Sequence, residues 1–229
     1  MRVIVNEPLV EKRSTWGRRL MSLGVAILLF AVFLSFNRQT VWGAYAVMLV
    51  GLIVLNVGTA VGGKWMRQPR GDQILDKALK GLDHGSRLYN YLLPVDHVLL
   101  SPAGLFVLTL KTQDGQIIGQ GEKWQRRLNL LGSISALFET KLGNPSRQAR
   151  KEVAKVQSWL HARLPDAEVP VHPVIVFVNP KAQLRLEELT VPALRLADLK
   201  AYLRANIGKT MVQRNTLETL AALCEERSS

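Results

Sequence analysis

The sequence predicts a transmembrane helical hairpin followed by an α/β domain with a mixed sheet. Three observations predict this fold class. Residues 20–63 contain a single charge, Arg38. Beyond them, short strand-like apolar runs alternate with stretches of helical periodicity. The remaining residues, 64–229, are numerous enough for one ordinary domain with its own core.

Two apolar runs near the N-terminus predict the hairpin. The first, residues 20–36, would rise about 25 Å as a helix, slightly less than the roughly 30 Å hydrocarbon core of a bilayer. The second, residues 41–63, would rise about 35 Å and can cross with some tilt. The polar residues 37–40 are expected to form a tight turn. A cleaved signal peptide is the alternative for the first run because Arg18 and Arg19 precede it, although a second apolar run follows almost at once.

Flanking cations predict the orientation of the hairpin. Residues 1–19 and residues 64–80 each carry five Lys or Arg side chains, whereas the turn carries only Arg38. Because Lys and Arg are enriched on the cytoplasmic side of membrane helices, both termini and the C-terminal domain are expected in the cytoplasm. The protein would then be an integral protein of the bacterial inner or plasma membrane type. The single cysteine, Cys224, suits a reducing compartment.

The predicted organisation has five segments. A basic N-terminal segment covers residues 1–19, the hairpin covers 20–63 and a linker covers 64–70. An α/β domain follows over residues 71–190, and a helical tail covers 191–229.

A pair of glycines in the second apolar run, Gly58 and Gly62, forms a G-x-x-x-G pattern. Small residues at this spacing let helix backbones approach, so the pair predicts a helix–helix oligomer. A glycine-rich helix end near the headgroups is the alternative interpretation. Membrane lipids are the expected partners of the whole segment.

The charge of the chain indicates the partners of its domain. The formal net charge is +12 at pH 7, and residues 64–229 hold 24 of the 30 cations and 16 of the 18 anions. A basic domain beside a membrane is attracted to anionic lipid headgroups or to DNA or RNA. Charge alone does not choose between these partners.

The first elements of the domain are a helix and a meander. Asp72 is expected to cap a helix that ends near Gly81 to Gly85, because apolar residues recur at helical spacing after it. Three short apolar runs, residues 88–93, 97–100 and 105–110, predict three strands. Residues 130–138 fit either a strand or a loop.

Turn and cap signals define the later elements. Asp114-Gly115 predicts a hairpin turn, with residues 116–118 as the returning strand. Asn144 and Pro145 predict the cap and the first position of a long helix that ends before Pro165.

Three further elements complete the domain. A continuous apolar run over residues 174–178 predicts a strand covered on both faces. Helices are expected at residues 198–206 and 215–226. The order of helix, strands, helix, strand and helices is typical of an α/β domain with a mixed sheet.

Several motifs in one order resemble a known family over roughly residues 71–177. They are Gly71-Asp72, Val95-Asp96-His97-Val98, Ser101-Pro102-Ala103-Gly104-Leu105-Phe106-Val107 with Lys111, Trp124, and Asn144-Pro145-Ser146-Arg147-Gln148. Together they are similar to the nuclease-related domain, NERD. The order of the motifs is more specific than any one of them.

The resemblance implies a restriction-endonuclease-like core that holds a divalent metal, Mg²⁺ or Mn²⁺, against a phosphodiester at one edge of the sheet. Carried over residue by residue, the helix acid is Asp72, where the family usually has Glu, and the strand acid is Asp96. The E-x-K pair of the family falls on Thr109 and Lys111. Asp72, Asp96 and Lys111 would be catalytic, with the two acids as metal ligands. Gln148 would support the site.

Thr109 departs from the family pattern, which has an acid at this position. Positions 109 and 111 face the same side of a strand, so a hydroxyl would lie where a carboxylate is expected beside the lysine. The formal charge of the predicted set becomes −1 instead of −2, which lowers its affinity for a hard dication. Asp114 lies on the opposite parity in a turn and is interpreted as a turn residue. The site is therefore expected to be degenerate.

Each predicted site residue also has an ordinary structural interpretation. Asp72 suits a helix cap, Asp96 suits the entry to a strand, and Lys111 suits a solvated strand end.

Three functions remain from the sequence. The favoured one is a membrane-anchored, nucleic-acid-binding module with a degenerate metal-dependent nuclease site. An active metal-dependent nuclease and a membrane-proximal protein scaffold are the alternatives. The sequence has no P-loop and no C-x-x-C, so it offers no motif for nucleotide hydrolysis or thiol redox chemistry.

Overall fold

The computed structural model describes residues 1–66, 68–82, 85–127, 142–165, 167–207 and 212–226. The chain forms two compact units: Asn6–Arg70, and a second unit made of Met1–Val5 and Gly71–Ser229. The first unit is a helical hairpin and the second is an α/β domain with mixed sheets, so the predicted fold class is confirmed. The hairpin interrupts the domain after its first strand.

Two long helices form the hairpin. Helix α1 spans Glu7–Ser35 and helix α2 spans Val41–Met66, and both are long and apolar enough to cross a membrane. Helix α1 begins well before the apolar run predicted at residue 20, because Asn6 caps it by accepting a hydrogen bond from the N–H of Leu9. The apolar run marks what a bilayer can cover, whereas the cap marks where the helix begins.

Small residues form the contact between the two helices. They recur every seven positions, at Gly17, Gly24 and Ala31 in α1 and at Ala44, Gly51 and Gly58 in α2, and Gly62 joins them. A Cβ atom on Gly17 would lie 2.4 Å from Cα of Gly62, so the backbones touch there. The predicted G-x-x-x-G pair thus contacts α1 of the same chain. An oligomer through Gly58 and Gly62 stays a prediction.

The described residues of the domain form nine strands. They are β1 (Arg2–Val5), β2 (Arg87–Asn90), β3 (His97–Ser101), β4 (Gly104–Lys111), β5 (Gly115–Gln120), β6 (Lys123–Arg127), β7 (Val171–Phe177), β8 (Ala182–Glu187) and β9 (Ala193–Arg195). The larger sheet has the order β1-β2-β3-β4-β7-β9. The predicted meander β2-β3-β4 is antiparallel, and β4 pairs in parallel with β7.

A separate small sheet has the order β6-β5-β8. Residues 116–118 lie in β5, which pairs with β6 and β8 and not with β4. The predicted hairpin at Asp114-Gly115 is therefore wrong. The prediction fails because β3 and β7 already pair with the two edges of β4, so neither edge is available for a returning strand. The alternative strand or loop at residues 130–138 lies outside the described residues.

Helices cover both faces of the larger sheet. Helices α3 (Gly71–Leu79) and α5 (Leu196–Ile207) pack on one face, and α4 (Pro145–His161) and α6 (Arg214–Glu225) pack on the other. The helices near the C-terminus contribute Leu199, Leu203 and Leu220 to these cores.

The helix starts test two of the predicted caps. Asn144 caps α4 as predicted, because its side chain accepts a hydrogen bond from the N–H of Arg147 and Pro145 follows it. Helix α3 begins at Gly71, so Asp72 lies in its first turn and the predicted cap is wrong. An acid in the first turn still interacts favourably with the positive end of the helix.

Candidate functional site

The candidate site lies at the carboxyl end of β4, where that strand meets the first turns of α4. Lys111 ends the strand and pairs with Phe177 of β7. Thr109 and Lys111 share the sheet face on which α4 packs, since Val107 on the same parity contacts that layer. Both side chains are buried.

Among the residues that the structure describes, Lys111 has two oxygen partners. Its Nζ atom donates to Oε1 of Gln148 at 2.7 Å and to the carbonyl oxygen of Leu142 at 3.2 Å. Burial lowers the pKa of the Lys111 ammonium below its usual value, and the negative charge of Glu152 opposes that change. Lys111 is therefore a buried and partnered cation, unlike the solvated strand end that its sequence context also allows.

Glu152, on the second turn of α4, completes the network. Its Oε2 atom accepts a hydrogen bond from Thr109 Oγ1 at 2.5 Å, and its Oε1 atom accepts one from Nε2 of Gln148 at 2.8 Å. Thr109, Glu152, Gln148 and Lys111 thus form one chain of hydrogen bonds. Glu152 was not among the site residues predicted from the sequence. Its position four residues after Gln148, on the same face of a predicted helix, was the signal that could have identified it.

Asp96 immediately precedes β3. Its side chain is exposed, and its carbonyl oxygen accepts a hydrogen bond from the N–H of Tyr91 at 2.8 Å. The β3–β4 ladder ends at the pair Val98–Val107, so its register does not extend to Asp96 or Thr109.

Asp72 lies in a different group of side chains. It is buried in the first turn of α3, which covers the other face of the sheet, and Oδ1 accepts a hydrogen bond from the Tyr91 hydroxyl at 3.4 Å. His97 lies in this second group, with Nδ1 2.7 Å from Oδ1 of Asn90. The structure therefore joins Thr109, Lys111 and Gln148 through hydrogen bonds and places Asp72 apart from them. The catalytic and metal-binding roles assigned to these residues stay predictions.

Two other residues noted in the sequence have structural partners. Asp114 accepts hydrogen bonds from Arg126 through both its side chain and its backbone carbonyl. Trp124 donates from Nε1 to the hydroxyl of Ser146 at 2.9 Å and packs against Phe177. The contacts of Trp124 join the small sheet to helix α4 and to strand β7.

A basic cleft opens beside the network. It has a volume of about 570 Å³, and its described lining includes the cations Lys111, Arg147 and Lys151 but no acidic residue. Arg147 and Lys151 are exposed at its rim, one helical turn apart on α4. Such a cleft attracts anions of the size of a phosphate group.

The residues of the network do not fit a hard divalent cation. Glu152 supplies its carboxylate, but the oxygens of Gln148 and Leu142 already accept hydrogen bonds from the Lys111 ammonium. Mg²⁺ requires several free oxygen ligands, and a neighbouring ammonium opposes its binding. Within the described ranges, no group of three or more His, Cys, Asp or Glu side chains could hold a metal ion.

Comparisons with known proteins identify part of the chain. Residues 67–178 match the family model described as the nuclease-related domain, NERD. Searches of curated proteins and of solved structures found no match. The matched segment contains β2 to β7 and α4, and with them all the residues of the network. Residues 67–178 of this chain are therefore similar to the nuclease-related domain, and they follow two helices long and apolar enough to cross a membrane.

Proposed function

We propose that this chain is a membrane-anchored protein whose nuclease-related domain binds DNA or RNA through the basic cleft at Lys111. The observation that carries the proposal is the composition of this cleft, which includes three cations and no acid among its described lining residues. Nucleic acids present a regular array of phosphates, and neutralising them releases condensed counterions.

The position of the cleft at the start of α4 supports phosphate binding. The N-terminus of a helix carries a partial positive charge from its unpaired N–H groups. Arg147 and Lys151 project from the first two turns of α4, and Lys111 lies behind them with its charge kept in place by Gln148. Arg offers two parallel donors to a phosphate, and Lys offers a point charge.

The hairpin would hold this domain at a bilayer. The chain leaves the domain after Val5 and returns to it at Gly71, with two apolar helices between. If both helices cross, the two flanks lie on the same side. The cations of both flanks support the cytoplasm as that side, together with a membrane of the bacterial inner or plasma type.

Salt dependence of binding tests the proposal. The full chain is reconstituted in nanodiscs of zwitterionic lipid, and its affinity for a 20-base-pair DNA duplex and for an RNA of equal length is measured in EDTA from low to physiological salt. We expect log K to fall linearly with log salt. The double variant Arg147→Ala, Lys151→Ala should reduce the slope for DNA by about 1.8, or roughly 0.9 for each lost phosphate contact.

Two exposed lysines on the other face of the sheet provide the matched control. The double variant Lys77→Ala, Lys80→Ala removes the same net charge at and just after the end of α3. We expect its slope to equal that of the unmodified chain. Absence of binding, or binding with a flat salt dependence, would refute the proposal and favour a protein scaffold.

Orientation is tested separately by labelling with a membrane-impermeant maleimide. Arg38→Cys in the turn should react in intact cells, whereas Lys155→Cys in the domain should react only after permeabilisation. The native Cys224 is buried, and burial raises the pKa of its thiol to about 12, so it contributes little labelling. Labelling of residue 155 in intact cells would reverse the orientation.

Phosphodiester cleavage is the second candidate function, and the carboxylate of Glu152 beside Thr109 favours it. The full chain is incubated with linear DNA and with RNA in Mg²⁺ and in Mn²⁺. Cleavage that is lost in Asp96→Ala would support an active enzyme. A metal-independent cleavage that survives this substitution would come from a contaminant.

A further inference from the structure

The ammonium of Lys111 occupies the oxygen atoms that a divalent cation would need. Its Nζ atom lies 2.7 Å from Oε1 of Gln148 and 3.2 Å from the carbonyl oxygen of Leu142. A Mg²⁺ ion would have to bind the same two oxygens at about 2.1 Å. Two cations cannot share these ligands, because their mutual repulsion at such short distances is large. The network is therefore built around an ammonium.

We infer that the Lys111 ammonium takes the place of the divalent metal that the nuclease-related family implies, and that it binds a phosphate group of DNA or RNA directly. Binding to nucleic acid then requires no metal ion. The inference rests on the proposed nucleic-acid-binding function and deepens it, because it assigns a phosphate ligand inside the basic cleft.

Lys111 has a donor for this phosphate. An ammonium carries three N–H groups, and the described residues accept two of them, through Gln148 and Leu142. The side chain is only 7% exposed, but it lines the basic cleft. A phosphate oxygen in the cleft can accept the third N–H group. Such a bond is stronger than a neutral hydrogen bond, because both partners are charged.

Glu152 supplies the negative charge that helps to keep Lys111 protonated. Thr109 donates to its Oε2 atom and Gln148 donates to its Oε1 atom, so hydrogen bonds hold the carboxylate in place. Its charge raises the pKa of the Lys111 ammonium against the effect of burial. Glu152 is therefore a positioning residue, which acts on the phosphate through Gln148 and Lys111.

The charge of the cleft favours a phosphate group over a metal ion. Its three cations and Glu152 together have a formal charge of +2. A field of this sign attracts phosphates and repels Mg²⁺. Arg147 and Lys151 would contact neighbouring phosphates from the exposed rim, whereas Lys111 would contact one inside the cleft.

The first test compares binding with and without a metal ion. The affinity of the full chain in zwitterionic nanodiscs for the same DNA duplex is measured in EDTA and in Mn²⁺ at one ionic strength. We expect the affinity in EDTA to equal or exceed that in Mn²⁺, because the ion adds no ligand to the complex. A higher affinity in Mn²⁺, or cleavage of the duplex that requires Mn²⁺, would overturn the inference.

The second test removes the ammonium and keeps a side chain of similar length. In Lys111→Met, the slope of log K against log salt for DNA should fall by about 0.9, the value for one lost phosphate contact. The control Lys77→Met removes the same charge from an exposed position of α3 and should leave the slope unchanged. Equal slopes for Lys111→Met and the unmodified chain would refute the direct contact.

A gain of metal binding makes the test specific. Lys111→Glu removes the cation, frees the oxygens of Gln148 and Leu142, and adds a second carboxylate to the network. We expect this variant to take up Mn²⁺, seen as a loss of the electron paramagnetic resonance signal of the free ion. The control Lys77→Glu makes the same change of charge on the other face of the sheet and should take up none.

Two results of the resonance measurement would contradict the inference. One is a folded Lys111→Glu variant that takes up no more Mn²⁺ than Lys77→Glu. The other is Mn²⁺ uptake by the unmodified chain that Glu152→Gln abolishes. If Lys111→Glu loses the near-ultraviolet signal of a folded domain, the comparison of EDTA with Mn²⁺ on the unmodified chain decides.

Binding in EDTA also separates the two proposals. Its absence would refute the proposed function and the inference with it. Its presence, together with equal slopes for Lys111→Met and the unmodified chain, would refute only the role of Lys111.

Discussion

Lys111 Nζ lies 2.7 Å from Oε1 of Gln148, and this contact ties the end of β4 to the first turn of α4. The amide of Gln148 is used at both ends, because Nε2 donates to Glu152 while Oε1 accepts from Lys111. Gln148 thus connects a buried cation to an acid without a direct ion pair.

The first prediction concerns this amide. Gln148→Ala should lower the free energy of unfolding by about 1.5 to 3 kcal/mol, because the buried Lys111 ammonium loses a charged hydrogen bond. Urea unfolding of the full chain in detergent measures the change. Gln157→Ala, at an exposed position of the same helix, should cost much less. Equal costs would show that the amide does not stabilise Lys111.

The second prediction concerns pH. Burial lowers the pKa of folded Lys111 below its unfolded value, so between the two values the unfolded chain binds more protons. Stability therefore rises with pH in that window, and Lys111→Met removes this rise. The difference in unfolding free energy between the unmodified chain and Lys111→Met should increase as pH rises toward the unfolded pKa. A constant difference would contradict the lowered pKa.

Glu152 affects the pH range over which Lys111 changes the stability. Its negative charge raises the pKa of Lys111 against the effect of burial, so Glu152→Gln should lower that pKa further. The rise in stability should then begin at a lower pH in Glu152→Gln than in the unmodified chain. A window that begins at the same pH would show that Glu152 is screened from Lys111.

Local signals explain which parts of the fold the sequence predicted. The start of α4 could be predicted because Asn144 and Pro145 affect only the adjacent helical turn. The partners of β5 could not be predicted, because the turn signal at Asp114-Gly115 carries no information about the strands that pair with β4. Strand β1 was missed because its partner, Arg87–Asn90, lies beyond the whole hairpin.

Local signals also explain which residues of the candidate site could be predicted. Lys111 was predicted from a strand motif, and Gln148 was predicted from its place in a predicted helix. Glu152 was missed because its hydrogen bond with Thr109 depends on the packing of α4 against β4. No local sequence signal encodes that packing.

The third prediction concerns the hairpin contact. A Cβ atom on Gly62 would lie 2.7 Å from Cα of Gly17, whereas one on Gly63 would meet nothing within 4 Å. Gly62→Ala should therefore separate the helices and lower the thermal midpoint in detergent. Gly63→Ala, the adjacent control, should leave the midpoint unchanged or raise it, because alanine favours helices over glycine by about 0.8 to 1 kcal/mol. Equal midpoints for the two variants would refute the close contact.

The fourth prediction concerns the five residues before the hairpin. Val3 pairs with Leu88 of β2 and packs against the core under α3 and α5. Val3 is partly buried, so Val3→Asp places a charge at the edge of that core and should lower the thermal midpoint, because the carboxylate loses part of its hydration. Val3→Thr keeps the branched shape and should cost less. The measurement is the thermal midpoint of the full chain, followed by the near-ultraviolet signal of its aromatic residues. An unchanged midpoint in Val3→Asp would mean that β1 adds nothing to the domain. A lowered midpoint would show that β1, which precedes the hairpin in the sequence, stabilises the domain that follows it.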